Sequence, residues 1–326
     1  MISRRAFSQA ALAIAALPPA ARAQQEGRIP RIGVLWHAGN AEEESPYLES
    51  LIEGFRALGY TSGRIVLEHR YPNELPELFT SMAAELVAAK PDVLVAVGGA
   101  APYLKRATST IPVVFMYVPD PIGAKLVDST RRPGANVTGL TNFSVEISAK
   151  RLQLVKEMVP RVSRVALLVN PNARISDLYI AQAAEAAPKL GLTTQPFEAR
   201  SGAELERAFD AMVKARMQAV VVNAEGLFYQ KKEQIAKLAE THKLPSCVWV
   251  REVLESGALF SYGVDQRAIA RRVAVYVDRI LKGAKPAEMP VEQPTTFELV
   301  VNMKIAKLLG IKVPQSILIQ ATAVIE

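Results

Sequence analysis

Short apolar runs alternate along the chain with longer segments in which apolar residues recur at helical spacing. The run RIGVLW at 31–36 is apolar almost throughout, which is typical of a strand covered on both faces. A first set of strands is predicted at 31–36, 64–71, 93–99, 112–118 and 136–142. Helices are predicted between them at 46–58 and 75–89. The pattern therefore indicates strands and helices in alternation.

The same order then begins again. A helix at 144–159 leads into a second set of strands, predicted at 164–170, 193–199, 219–225, 244–250 and 258–263. The helices of this set are predicted at 174–190, 203–215, 228–242 and 266–282. One more strand at 296–302 and a short helix follow. An extra strand after two complete sets indicates that the chain crosses between two bodies more than once.

Alternating strands and helices imply parallel sheets with right-handed crossovers. Two consecutive sets predict an α/β fold of two doubly wound parallel-sheet lobes joined by a multi-strand hinge. The hinge segments are expected near 141–144, 262–266 and 288–294. The first lobe is predicted to hold 28–141 plus about 264–289, and the second 142–263 plus about 290–326.

The first 23 residues have the features of a signal peptide. Arg4 and Arg5 precede an apolar stretch at 10–17, and the triplet 21–23 fits the small-x-small rule for cleavage near Ala23. The stretch is too short to span a bilayer. These features predict export to the periplasm, either by the twin-arginine route or by general secretion. An amphipathic N-terminal helix of a cytosolic protein is the alternative.

The charge pattern and the reactive residues argue against several functions. The net charge of +7 is spread among mixed charges with no basic block, so nucleic-acid binding is not expected. Cys247 lies in an apolar run and is predicted to be a core residue. The histidines have no metal-ligand spacing, and no nucleophile elbow or phosphate loop is present. We therefore expect no enzyme activity, metal or cofactor, and interpret Glu42–Glu44 as a solvated helix start.

Two stretches resemble a known family. The segments DPIGAKLV at 120–127 and VEQPTTFELVVN at 291–302 are similar to ABC-transporter substrate-binding proteins related to tryptophan and tyrosine binders, and the resemblance extends over about 28–326. It implies a type I periplasmic-binding fold with three inter-lobe crossings. It also implies delivery of a ligand to an inner-membrane permease with a cytoplasmic ATPase, but it does not fix the ligand. We expect an aromatic or other amino acid, or a related small acid, and a monomeric protein. A periplasmic sensory module for a membrane receptor is the alternative.

In open parallel sheets, ligands bind beyond the carboxyl ends of the strands. In the first lobe this rule selects His37, Ala38, Gly39, Gly99, Ala100, Ala101, Tyr117 and Asp120. Free backbone N–H groups in the turn at 99–101 would suit a ligand carboxylate, and Asp120 would suit an ammonium group. The structural alternatives are a surface-loop position for His37, a tight turn chosen for packing at 99–101 and a helix N-cap for Asp120.

The same rule applied to the hinge and the second lobe selects Asn142, Phe143, Asn170, Asn172, Ser176, Glu225, Trp249, Tyr262 and Asp265. Among these, Phe143, Trp249 and Tyr262 are candidates to sandwich a flat apolar group. Core packing or helix capping is the alternative for each of them.

Overall fold

The computed structural model describes residues 28–142, 144–173 and 175–326. The predicted signal peptide and Phe143 lie outside this described part. Two α/β lobes are built around two sheets of different size. Every element below is assigned to the lobe whose sheet it joins or covers.

The first lobe contains a five-stranded sheet in the order β2-β1-β3-β4-β5, and all its strands are parallel. Its strands are β1 (Arg31–Leu35), β2 (Val66–Arg70), β3 (Val93–Val97), β4 (Val113–Val118) and β5 (Val137–Thr141). Its helices are α1 (Ser45–Ala57), α2 (Pro76–Ala88) and α3 (Ala101–Ala107). β3, β4 and β5 are buried along their whole length, as expected of parallel strands covered on both faces.

The second lobe contains a seven-stranded sheet in the order β12-β11-β10-β9-β8-β6-β7. Its strands are β6 (Arg164–Val169), β7 (Thr193–Glu198), β8 (Ala219–Val222), β9 (Ser246–Val248), β10 (Phe260–Val264), β11 (Phe297–Asn302) and β12 (Ala323–Ile325). The helices that follow β5 are α4 (Ser148–Met158), α5 (Ser176–Ala186), α6 (Gly202–Lys214), α7 (Gly226–Gln230), α8 (Lys232–Thr241), α9 (Arg251–Glu255), α10 (Gln266–Leu281), α11 (Met303–Leu308) and α12 (Gln315–Gln320).

The chain passes between the two sheets three times within the described residues. It leaves β5 for α4, leaves β10 for α10, and returns to β11 after Glu292. Glu292 still belongs to the first lobe, because its N–H donates to Gly139 O at 2.9 Å and its carbonyl accepts from Thr141 N at 3.0 Å. All three crossings lie at the carboxyl ends of the parallel strands, since they leave β5 and β10 there and β11 starts beside the end of β10. They therefore bring the carboxyl ends of the two sheets together.

Helix α10 follows the second crossing and packs against α1 and β4 of the first lobe. The contact with α1 is close at Gly54, where a Cβ atom would lie 2.4 Å from Arg271 O. Only glycine fits there without moving one of the two helices. The backbone approach therefore fixes how α10 sits on the first lobe.

The fold class predicted from the sequence is confirmed, with two local differences. The pair β10–β11 is antiparallel, because β11 enters its sheet from the crossing side, at the edge where β10 leaves it. Strand β3 ends at Val97, since Gly98 has a φ of +50° and begins a 3₁₀ turn. Helices α3 and α9, strand β12 and one of the two short helices α11 and α12 were not predicted.

Cys247 is fully buried, so its predicted role as a core residue is confirmed. Burial raises the pKa of its thiol to about 12, which keeps the thiol protonated and unreactive. None of the helices in the described part is both long and apolar enough to cross a bilayer.

Candidate functional site

The carboxyl ends of the two sheets face each other across a cleft, and side chains from the two lobes contact each other over it. The Tyr47 ring of α1 lies 5.6 Å from the Tyr229 ring of α7, measured between centroids. The Tyr47 hydroxyl donates to Glu252 Oε2 at 3.3 Å. Gln230 Nε2 donates to Asn73 Oδ1 at 3.2 Å. The cleft is thus lined jointly by both lobes.

Aromatic side chains form one wall of this cleft. The Tyr117 ring lies 5.4 Å from that of Tyr47, and Trp249 is buried in the same hydrophobic cluster. Tyr117 has a φ of +62° and sits at a register shift between β4 and β5. This rare conformation is held by two contacts: the Tyr117 hydroxyl donates to Gln266 O at 2.7 Å, and its carbonyl accepts from Asn142 Nδ2 at 3.2 Å.

Four buried polar side chains lie on the segments that border the cleft. They are Thr141 at the end of β5, Ser144 in the first crossing, Tyr179 on α5 and Asn223 after β8. Thr141 Oγ1, Ser144 Oγ, Tyr179 OH and Asn223 Nδ2 have no hydrogen-bond partner in the described part of the chain. A buried polar atom without a partner costs about 1–3 kcal/mol. Such a group of atoms is suited to hydrogen-bond a polar ligand.

A charged group of residues occupies the rim of the cleft, and we call it the acidic rim: His37, Glu44, Glu74 and Glu225. His37 Nε2 lies 3.3 Å from Glu44 Oε1, and His37 Nδ1 lies 3.0 Å from Glu74 Oε1. Burial by itself lowers the pKa of His37, but the neighbouring carboxylates outweigh it and raise the pKa to about 9. The imidazole is therefore a cation at neutral pH.

Glu225 brings the second lobe to the acidic rim. Burial, together with the charge of Glu74, raises its pKa to about 7. Its Oε1 accepts from Asn170 Nδ2 at 3.0 Å, and its Oε2 accepts from Phe228 N at 3.3 Å, which caps α7. The next residue, Gly226, packs its backbone directly against Glu74, in space that a side chain would fill.

The interpretation of Glu42–Glu44 as a solvated helix start was wrong for Glu44, which is 0% exposed. Glu44 turns inward because its carboxylate accepts from Ala38 N at 3.1 Å and contacts His37. Gly39 N donates in the same way to Glu43 Oε2 at 2.9 Å. The backbone donors predicted to bind a ligand after β1 are thus bonded to the chain's own carboxylates.

The turn after β3 divides into an exposed and a buried part. Gly99 is exposed, and nothing lies within 4 Å of where its Cβ would be. Ala100 and Ala101 are fully buried in the core of the first lobe. The turn can therefore accept contacts at Gly99 and at the partly exposed Gly98, but not at the two alanine side chains.

Asp120 and Asp265 both organise the backbone of their own segments. Asp120 Oδ1 accepts from Gly123 N at 2.8 Å and closes a turn. Asp265 Oδ1 accepts from Ala268 N at 2.9 Å and caps α10. Capping does not occupy every oxygen of a carboxylate, so a ligand role for either residue stays a prediction.

The predicted residues of the second lobe fall into two groups. Asn170 and Ser176 are buried together, with Ser176 Oγ donating to Asn170 O at 2.6 Å, while Asn172 is exposed beside them. The Tyr262 ring does not pair with the Trp249 ring, because it stacks on Phe297 with centroids 6.0 Å apart and lines a separate groove. The structure therefore does not bring Tyr262 and Trp249 together as two sides of one sandwich.

Sequence reasoning missed several residues of the cleft, all of which lie in helices or loops: Glu44, Tyr47, Glu74, Ser144, Tyr179 and Tyr229. A rule based on strand ends cannot select them, because the inward face of a helix depends on what it packs against. Thr141 and Asn223 lie at strand ends, within the segments 141–143 and 223–226 that the rule selects.

The chain matches the family model described as ABC transporter substrate binding protein over residues 44–325. The chain belongs to this family. It is 25% identical over 277 residues to the tyrosine-binding protein of Clostridioides difficile (strain R20291), covering 82% of this chain and 79% of that protein. The family consists of solute-binding proteins rather than enzymes, so the expectation of a non-enzymatic binding protein is confirmed.

Solved structures agree with this assignment. The ABC domain of Streptococcus pneumonia in complex with L-Trp is 27% identical, with a TM-score of 0.85, and the match covers 91% of this chain and 100% of that chain. A conserved domain protein of Vibrio cholerae is 28% identical, with a TM-score of 0.86 and the same coverage. The resemblance drawn from the sequence is thereby confirmed.

Proposed function

We propose that this protein is an extracytoplasmic solute-binding protein of an ABC importer, which captures an aromatic amino acid between its lobes and delivers it to an inner-membrane permease. The observation that carries the proposal is the group of unpartnered polar atoms of Thr141, Ser144, Tyr179 and Asn223 beside the cleft. A ligand that bonds to them would offset the cost of burying them.

The surroundings of these atoms favour a ligand with one flat apolar part and one polar part. Tyr47, Tyr117 and Trp249 offer aromatic surface, and Asn142 connects Tyr117 to Ser144 by hydrogen bonds. Small-molecule sites commonly combine aromatic walls with a few fixed polar groups. The relatives with tyrosine and L-Trp in their names support an aromatic amino acid.

Closure of the two lobes is the proposed mechanism. A ligand held by one lobe would bridge to the other and shift the population toward the closed form. The lobes are proposed to be 28–141 with about 264–292, and 142–263 with about 293–326, because Val291 and Glu292 bond to the first lobe and move the boundary predicted near 289. Apart from Ala100, Ala101 and Tyr262, the other strand-end residues keep their predicted ligand roles in the proposal. Export to the periplasm and a monomeric state are also part of it.

A thermal-shift screen of the full chain tests the ligand class, with the twenty amino acids, sugars and purines as separate panels. We expect L-tyrosine, L-tryptophan or L-phenylalanine to stabilise the protein most, by about 2.7 kcal/mol at a hundredfold excess over Kd. Stabilisation by sugars or purines alone would refute the amino-acid assignment.

Import is tested separately, by uptake of the radiolabelled ligand into cells that carry or lack the gene. Loss of uptake in the cells without the gene supports the importer. Normal uptake combined with a lost transcriptional or motile response to the ligand would favour the alternative sensory module.

A further inference from the structure

Among the described residues, Arg151 is a buried cation without an acidic partner. Its side chain projects from α4 and is 1% exposed. Nε donates to Tyr262 O at 2.9 Å, and Nη1 donates to Ser144 O at 3.1 Å. In the described part of the chain no carboxylate lies within 4.0 Å of the guanidinium. Buried charges are normally paired, so this one leaves a positive potential beside the cleft.

Two hydroxyl groups lie beside this guanidinium. Ser144 and Tyr179 are each 2% exposed, and their hydroxyl oxygens are among the unpartnered atoms described above. Burial raises the pKa of Tyr179, while the charge of Arg151 and the approach of the Ser144 and Arg151 side chains, which falls short of hydrogen-bond geometry, act in the opposite direction. The placement agrees, because Arg151 Nη1 contacts Ser144 O at 3.1 Å and α4 packs against α5, which carries Tyr179.

Two buried O–H donors next to an unpaired cation fit an anion, because charge-assisted hydrogen bonds to a carboxylate are stronger than neutral ones. An ammonium group would be repelled by Arg151, and a sugar hydroxyl would leave the charge uncompensated. Glu146 also acts on the pKa of Tyr179, but it is exposed and lies outside ion-pair distance of Arg151.

We infer that Ser144 and Tyr179 donate hydrogen bonds to the carboxylate of the ligand and that Arg151 supplies the compensating charge. The inference rests on the proposed function, since it places one end of the proposed ligand in the cleft. It adds a chemical requirement: the ligand must carry a free carboxylate. It also places this anion site at the first crossing, away from the glycine turn at 99–101 that the sequence favoured.

The test compares L-tyrosine with L-tyrosinamide and tyramine, and L-tryptophan with L-tryptophanamide, by titration calorimetry. We expect each acid to bind at least a hundredfold more tightly than its amide or amine analogue. Equal affinity of acid and amide would overturn the inference.

Tyr179→Phe removes one hydroxyl and keeps the ring. We expect it to weaken acid binding at least tenfold, to leave amide binding unchanged, and to melt at the same or a higher temperature without ligand, since an unpartnered buried group is lost. Tyr103→Phe is the control, because Tyr103 stacks on Phe79 away from the cleft. Equal weakening of acid and amide in Tyr179→Phe would show a purely structural role and overturn the inference.

Failure of the proposed function gives a different result from failure of this inference. If no aromatic amino acid binds, the panel of ligands still decides between carboxylates and neutral compounds. A best ligand with a carboxylate that loses affinity in Tyr179→Phe would support the anion site. A best ligand without a carboxylate would overturn it.

Discussion

Replacing Glu225 by glutamine removes one titrating group from the acidic rim and keeps a side-chain oxygen for Asn170 or for the N-cap of α7. Burial and the charge of Glu74 raise the pKa of Glu225 from 4.5 to about 7. At 1.36 kcal/mol for each pH unit between the two values, ionised Glu225 costs the folded protein about 3 kcal/mol.

The sign follows from proton binding. Because the folded protein holds the Glu225 proton more tightly than the unfolded chain, its stability falls as pH rises from 4.5 to about 7. His37 acts in the same direction at higher pH. Its contribution is complete below 6.5 and is lost as pH rises through about 9. The wild type therefore loses stability in two windows, and Glu225→Gln removes the lower one.

Urea denaturation followed by circular dichroism measures the effect, at about pH 5 and about pH 8, without ligand. Relative to the wild type, Glu225→Gln should gain about 2–3 kcal/mol more at the higher pH than at the lower one. Glu206→Gln is the control, since Glu206 is an exposed carboxylate on α6. If the difference between wild type and Glu225→Gln is the same at both pH values, the electrostatic reading of the acidic rim is wrong.

Two further predictions concern the contact between helices α1 and α10 and the role of Asp120. Gly54→Ala should cost about 1–3 kcal/mol of unfolding free energy, because its Cβ would lie 2.4 Å from Arg271 O. Gly99→Ala, which has open space around it, should stay within about 0.5 kcal/mol of wild type in the same denaturation experiment; equal losses would contradict the close helix contact. If Asp120 binds a ligand ammonium, both Asp120→Ala and Asp120→Asn should weaken binding at least tenfold in calorimetry, whereas only Asp120→Ala removes the oxygen that accepts from Gly123 N. Unchanged affinity in both variants would leave Asp120 a purely structural role.

Most of the fold could be predicted because the residues of each long strand show its apolar pattern by themselves. β3 and β4 are continuous apolar runs, and an apolar run without polar alternation predicts a strand that is buried on both faces. β12 was not predicted because it is only three residues long and partly exposed, so it lacks an apolar run. It forms a strand because it pairs with β11. Its register is a tertiary property that no local pattern encodes.

The site was less predictable, because much of it lies on helices. Tyr117 lies near the end of β4, and Asn142 and Glu225 follow strands, so the rule for parallel sheets selects all three. Tyr179 lies within a helix, where its sequence position gives no sign of a ligand role. Only the packing of α5 beside the first crossing places it near Ser144. Glu44 is one of three consecutive acids, and the sequence gives no reason to choose which of them turns inward.

The contacts that join the lobes differ in kind from those that build each lobe. Gly54 and Arg271 bring two helix backbones together, an arrangement that opening of the cleft would leave intact. Across the cleft, by contrast, the contacts are side-chain pairs such as Gln230 with Asn73 and Tyr47 with Glu252. Each such hydrogen bond contributes about 1 kcal/mol. A few such bonds contribute less free energy to the closed form than a ligand that binds both lobes. The population of the closed form can therefore rise with ligand concentration.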